Sequence, residues 1–229
     1  DGGAGNDTAN YAASSSGVTI SLSGAAGSGG DAQGDTLANI EHLIGSAFAD
    51  MLTGDGGNNT LDGGSGNDTL VGGAGSDTLI GGAGSDTASY AGAGAGMVIN
   101  LASSGSNTGD ASGDTYSGIE NLIGSSFADT ITGDGNANNI DGGNGDDVIV
   151  GGGSGDTING GSGNDTADYT TSGAGVTAYM DGTLGVGGDA AGDTLSSIEV
   201  LIGSAFGDML VGDSGFNSLQ GGSGDDVLI

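Results

Sequence analysis

The chain has 229 residues, 56 of them Gly, and 30 acidic side chains against no Lys or Arg, for a formal net charge of −30. So few large apolar side chains exclude a single thick globular core, and the missing basic residues exclude nucleic acid and anionic membrane surfaces as natural partners. A cation is the partner the charge favours, no apolar run approaches membrane-spanning length, and the disorder that composition alone suggests is opposed by strict repetition.

Taken in chain order, residues 1–10 are the end of a nonapeptide array, with GGAGNDTAN at 2–10. Residues 11–89 form a first 79-residue unit, made of a spacer at 11–44 and an array at 45–89. Residues 90–168 form a second, with its spacer at 90–123 and its array at 124–168. A third begins at 169, with spacer 169–202 and array 203–229. Tyr11, Tyr90 and Tyr169 mark the long period and follow each array as residues that end its stack. The chain opens and stops inside its own pattern, so it reads as a piece of a longer protein.

Each spacer begins with an alternating segment. In VTISL, Val18, Ile20 and Leu22 alternate with Thr19 and Ser21, which predicts a strand with one buried face. Met97, Ile99 and Leu101 repeat the pattern, as do Val176, Ala178 and Met180. The phrase GDAxGDTLxxIExLIG then follows at 30–45 and 188–203, with GDASGDTYSGIENLIG between them. Its Asp-Thr-Leu core reads as a degenerate nonapeptide.

The arrays follow the form GGxGxDx(apolar)x, as in GGSGNDTLV at 63–71. Glycine reaches φ > 0 without a Cβ penalty, so GGxGxD predicts a turn and leaves three residues for a strand. In DTLV, Leu70 points inward while Thr69 and Val71 point out. Such short strands need neighbours, and stacking coils supplies them. Nonapeptides that alternate between two sheets place residues 18 apart on the same side, which brings Asp68 near Asp86. Two bare carboxylates would repel and raise each other's pKa. Ca²⁺ between them turns repulsion into ligation, since calcium takes six to eight hard oxygens and turn carbonyls supply the rest. The pairs this predicts are Asp50 with Asp68, Asp68 with Asp86, Asp129 with Asp147, Asp147 with Asp165, and Asp208 with Asp226. Asn59 with Asp77 and Asn138 with Asp156 are mixed pairs with a neutral oxygen, and Asn217 shares that weakness.

The repeats GGSGNDTLV, GGAGSDTLI and GGNGDDVIV resemble the RTX nonapeptides of secreted bacterial proteins, the repeats-in-toxin or hemolysin type. The resemblance implies an all-β fold, a right-handed parallel β-roll of two sheets, with multiple Ca²⁺ bound in its turns. It also implies type I secretion and folding in calcium-rich surroundings. Its loop aspartates map to Asp7, Asp68, Asp77, Asp86, Asp147, Asp156, Asp165 and Asp226. The pattern departs at Asn59, Asn138 and Asn217, and at 151–159, where Ser154 replaces the fourth-position Gly.

Other residues carry less. Asp31 with Asp35, Asp110 with Asp114, and Asp189 with Asp193 form a candidate cation site in each spacer. Glu41, Glu120 and Glu199 are either solvated edge residues or calcium ligands where spacer meets array. Phe48, Phe127 and Phe206 are expected to plug the core at that junction. His42, the lone histidine, has Asn121 and Val200 as counterparts, and no nucleophile, base and orienting group come together. Every acidic pair is copied, whereas catalysis needs one site, so the segment reads as no enzyme. The favoured reading is a calcium-stabilised extracellular segment of a larger bacterial surface protein: a surface layer, a filament or an adhesin stalk, with self-assembly as a further option. The alternatives are a calcium-triggered folding and secretion module at the C-terminus of an exported enzyme, and an ice- or surface-binding repeat built on the outward Thr60, Thr69, Thr78 and Thr87.

Overall fold

The computed structural model describes residues 1–229. Its strands are short, most of them three residues long, and its only helical elements are single 3-10 turns. Two compact units divide the chain, one comprising 1–93 with 103–121 and the other 94–102 with 122–229.

In the first unit, Thr8–Asn10, His42–Ile44, Thr60–Ser65, Thr78–Ala83 and Thr115–Ser117 make one parallel sheet in that order. A second parallel ladder runs Thr19–Ser21, Met51–Thr53, Thr69–Val71 and Thr87–Ser89. Successive nonapeptides fall on alternate ladders. Leu61 therefore lies opposite Leu79, and Leu52 opposite Leu70, each 18 residues on.

The second unit repeats the scheme. Val98–Asn100, Thr130–Thr132, Val148–Val150, Thr166–Asp168, Val200–Ile202 and Ser218–Gln220 form one parallel ladder. Asn139–Asp141, Thr157–Asn159 and Thr194–Ser196 lie along another, and Thr177–Tyr179, Met209–Val211 and Val227–Leu228 along a third.

The spacers are where ladders end and begin. Thr115–Ser117 and Thr194–Ser196, the degenerate nonapeptides, are the last strands of their sheets, whereas Val98–Asn100 and Thr177–Tyr179 are the first of theirs.

One apolar side chain per strand makes the core. Leu43, Leu52, Leu61, Leu70 and Leu79 are fully buried in the first unit, and Ile131, Ile140, Ile149, Leu201 and Leu210 in the second. Each buried Leu or Ile contributes about 1.5–3 kcal/mol, which is modest per coil and accumulates only through stacking. Val18, Ile20 and Leu22 are buried, as expected of the alternating spacer strand.

Phe48, Phe127 and Phe206 correct the sequence reading. They are 47%, 44% and 47% exposed and plug nothing. The fourth position of a nonapeptide lies on the turn, outside the sheets, so even a large apolar residue there faces solvent. The aromatic residues that are buried are Tyr11, Tyr90 and Tyr169.

The core assignment has a direct test. Leu70→Ala should lower the unfolding free energy of the calcium-saturated chain by about 2–5 kcal/mol. Val71→Thr, on the outward face one residue away, should stay within about 0.5 kcal/mol. Denaturant titrations read both.

Candidate metal centre

Where an aspartate precedes an array strand, one of its side-chain oxygens reaches back to the coil before. Asp68 Oδ1 accepts the Asp50 backbone N–H at 2.8 Å, and Asp86 Oδ1 accepts that of Asp68 at 2.8 Å. In the second unit Asp147 accepts from Asp129 at 2.8 Å, and Asp165 from Asp147 at 2.9 Å. Asp226 accepts from Asp208 at 3.0 Å. Asp77 and Asp156 do the same for the N–H groups of Asn59 and Asn138, both at 2.8 Å. All seven residue pairs expected from the 18-residue spacing are in contact, with carboxylate on backbone amide.

The spacers continue this ladder. Glu120 Oε2 accepts the Asp86 N–H, Glu199 that of Asp165, and Glu41 that of Asp7, each at 2.9 Å. Asp114 and Asp193 accept the Asp77 and Asp156 N–H groups at 2.8 Å. Their second oxygens take the hydroxyls of Tyr90 at 2.6 Å and Tyr169 at 2.9 Å. Asp35 receives Tyr11 in the same way at 3.1 Å. In each expected spacer pair the second Asp thus serves a tyrosine, whereas Asp31 is exposed and Asp110 and Asp189 are only half-buried. His42 sits on a strand, half-buried.

The ladder satisfies one oxygen of each carboxylate. The other is left over: Oδ2 of Asp7, Asp68, Asp77, Asp86, Asp147, Asp156 and Asp165 is buried with no hydrogen-bond partner. Asp68 is 1% exposed, and Asp86 and Asp165 are 0% exposed. A buried anionic oxygen without a donor costs several kcal/mol. All seven end turns that open with Gly-Gly, six of them GGxGxD and that of Asp156 GGGSGD, and the first glycine lies against the carboxylate; a Cβ at Gly63 would meet Asp68 Cγ at 2.8 Å. The second glycine holds a conformation side chains rarely adopt, φ +93° at Gly64, with the Ser46 carbonyl of the preceding coil 2.7 Å from where its Cβ would be. Carbonyl oxygens from one turn therefore face the bare glycines of the next.

No three His, Asp or Glu side chains converge on a single point. The donor set is instead a single orphaned carboxylate oxygen in each of these seven turns, among backbone carbonyls, all hard oxygens, and it fits calcium. The family model for the RTX calcium-binding nonapeptide repeat matches residues 35–70, 63–94, 114–149, 132–167 and 202–229, together more than half of the chain. The chain belongs to the RTX calcium-binding nonapeptide repeat family. This RTX segment is a structural repeat module that binds several calcium ions. Among curated proteins none matches the chain.

Sequence reasoning missed the ladder itself. It also gave Asp50, Asp129 and Asp208 the same standing as the consensus aspartates, although both oxygens of each already have protein donors. Val18 and Ser46 Oγ donate to Asp50 Oδ1, and the Ser46 N–H to Oδ2. Met97 and Ser125 serve Asp129, and Val176 and Ser204 serve Asp208. The signal was available in the second position of the turn, where Ser replaces Gly.

Burial pushes the ladder carboxyls up in the metal-free protein. Asp68, Asp77, Asp147 and Asp193 rise to about 6 and Asp156 to about 7, and Asp86, Asp114 and Asp165 are also raised. The backbone N–H from the coil before pulls each back, and nearby carboxylates push it further. A folded-state value above the unfolded one, about 3.9 for Asp, means the folded chain binds more protons in between. Stability of the metal-free fold is therefore fullest below about pH 4 and falls as pH rises through the folded values near 6–7. In chelator, circular dichroism should show more β-structure at pH 4.5 than at pH 7.5. The opposite order would contradict the burial of these carboxylates.

Proposed function

We propose that this RTX segment is an extracellular structural stretch of a larger secreted bacterial surface protein, in a surface layer, a filament or an adhesin stalk. One observation carries the reading: the same turn, strand and carboxylate contact recur in both units without any unique site. The Asp68–Asp86 contact has its counterpart in Asp147–Asp165, 79 residues on, and each spacer carries its own tyrosine–aspartate bond. Repetition of this kind adds length and surface, coil by coil.

Calcium, when bound, supplies the positive charge that no Lys or Arg provides. The residues of the chain supply the rest. Asp68, Asp77, Asp86, Asp147, Asp156 and Asp165 each present one buried oxygen, and their other oxygen fixes the coil before. Folding free energy is thereby linked to external calcium, so the chain can leave the cell unfolded and order itself outside. The alternative, a folding and secretion module of an exported enzyme, needs a catalytic domain outside these residues. Lateral contacts between copies through the outward faces of the ladders are compatible with either role.

An antibody against the folded segment should label intact, unpermeabilised cells of the producing bacterium, and chelation should weaken the labelling. Labelling confined to the medium, on a polypeptide that also carries a catalytic domain, would overturn the structural reading in favour of the module.

A further inference from the structure

The turns of the arrays are of two kinds, and the difference lies in their second residue. In eight turns that residue is Gly, with φ between +88° at Gly222 and +104° at Gly152. Seven of these eight turns leave a buried Asp oxygen without a donor, the eighth being that of Asp226.

In the remaining six turns the second residue is Ser46, Asp55, Ser125, Asp134, Ser204 or Asp213, none at positive φ. There the side chain accepts the N–H of the fourth residue: Phe48, Phe127 and Phe206 on the serines, each at 3.1 Å, and Gly57, Asn136 and Gly215 on the aspartates at 2.7–2.8 Å. With this residue out of the left-handed region, its own N–H turns inward and donates to the sixth residue. Ser125 reaches Asp129 Oδ2 and Ser204 reaches Asp208 Oδ2, both at 2.6 Å; Asp55 and Asp134 reach Asn59 and Asn138 Oδ1 at 2.8 Å, and Asp213 reaches Asn217 Oδ1 at 2.9 Å. The amide occupies the oxygen that an open turn leaves bare.

We propose that the second residue of each turn decides whether its sixth residue binds calcium: Gly leaves the carboxylate open to the ion, whereas Ser or Asp closes the turn and replaces the ion with a backbone N–H. The side chains of Asp50, Asp129 and Asp208 are then not calcium ligands. The asparagines at 59, 138 and 217 follow from the same rule, because a closed turn needs only one acceptor oxygen and no charge. Each 79-residue unit accordingly runs two closed turns and then three open ones, so its calcium requirement is confined to the later part of each array.

This rests on the reading of Asp68 and Asp147 as calcium ligands, and the test separates the two. Equilibrium dialysis against radioactive calcium, on the whole chain at saturating concentration, counts bound ions. Asp68→Asn and Asp147→Asn should each bind fewer ions than the parent, while Asp50→Asn, Asp129→Asn and Asp208→Asn should bind as many. The double substitution Ser46→Gly with Phe48→Gly turns GSAFAD into GGAGAD and should add an ion, which Asp50→Asn on that background removes again. This gain of binding cannot arise from misfolding. Loss of calcium in Asp50→Asn, or no gain in the double variant, would overturn the rule while leaving the open-turn sites standing. Undiminished binding in Asp68→Asn and Asp147→Asn would overturn the site reading and the rule with it.

Discussion

Everything in this chain depends on a carboxylate that grips the backbone of the coil before it and keeps one oxygen buried and bare. The grip sets the register of stacking. Asp68 on the Asp50 amide and Asp86 on the Asp68 amide lock each strand 18 residues from its neighbour, so that Leu52 meets Leu70. The bare oxygen sets the condition under which stacking is tolerable. A chain with no Lys or Arg must satisfy that oxygen with a proton, an amide or a cation, and open turns supply no amide.

The remaining forces are individually small. One apolar side chain per nonapeptide is buried, and glycine at three positions of a typical repeat adds to the entropy lost on folding. Regular parallel hydrogen bonding and the apolar column together leave little margin, so the fate of a few buried oxygens decides whether the coils form. In such a fold calcium acts as part of the core. The closed turns show how the chain manages without it: a serine or aspartate of ordinary backbone conformation directs its own N–H onto the same oxygen. Ser154 shows what the open conformation demands, since this residue stands where the pattern wants glycine and sits at φ +75°, with its hydroxyl on the Gly135 carbonyl.

Much of the fold was legible in the sequence, because its periods are physical ones. Nine residues are a turn plus a strand, 18 are a full coil, and the single apolar residue after Asp-Thr or Asp-Val had to face inward. The spacer strand around Ile20 could be read in the same way. The phenylalanines misled because hydrophobicity says nothing about where a position lies: Phe48 is on a turn, and its side chain remains in water. The ladder was invisible because it joins Asp and Glu residues of different local pattern, such as Asp86 and Glu120, whose connection exists only once the coils are stacked. Asp50 and Asp68 differ in sequence only through their turns, Ser46 and Phe48 against Gly64 and Gly66, and the meaning of that difference shows only in the hydrogen bonds.

The most direct measurement is a calcium titration of the whole chain at neutral pH, starting in chelator, followed by far-ultraviolet circular dichroism with magnesium as control. The buried, donorless oxygens require a cooperative transition from coil to β-structure that calcium drives and magnesium does not. A chain that is equally folded in chelator, or still unfolded at millimolar calcium, would contradict the claim that these carboxylates wait for the ion.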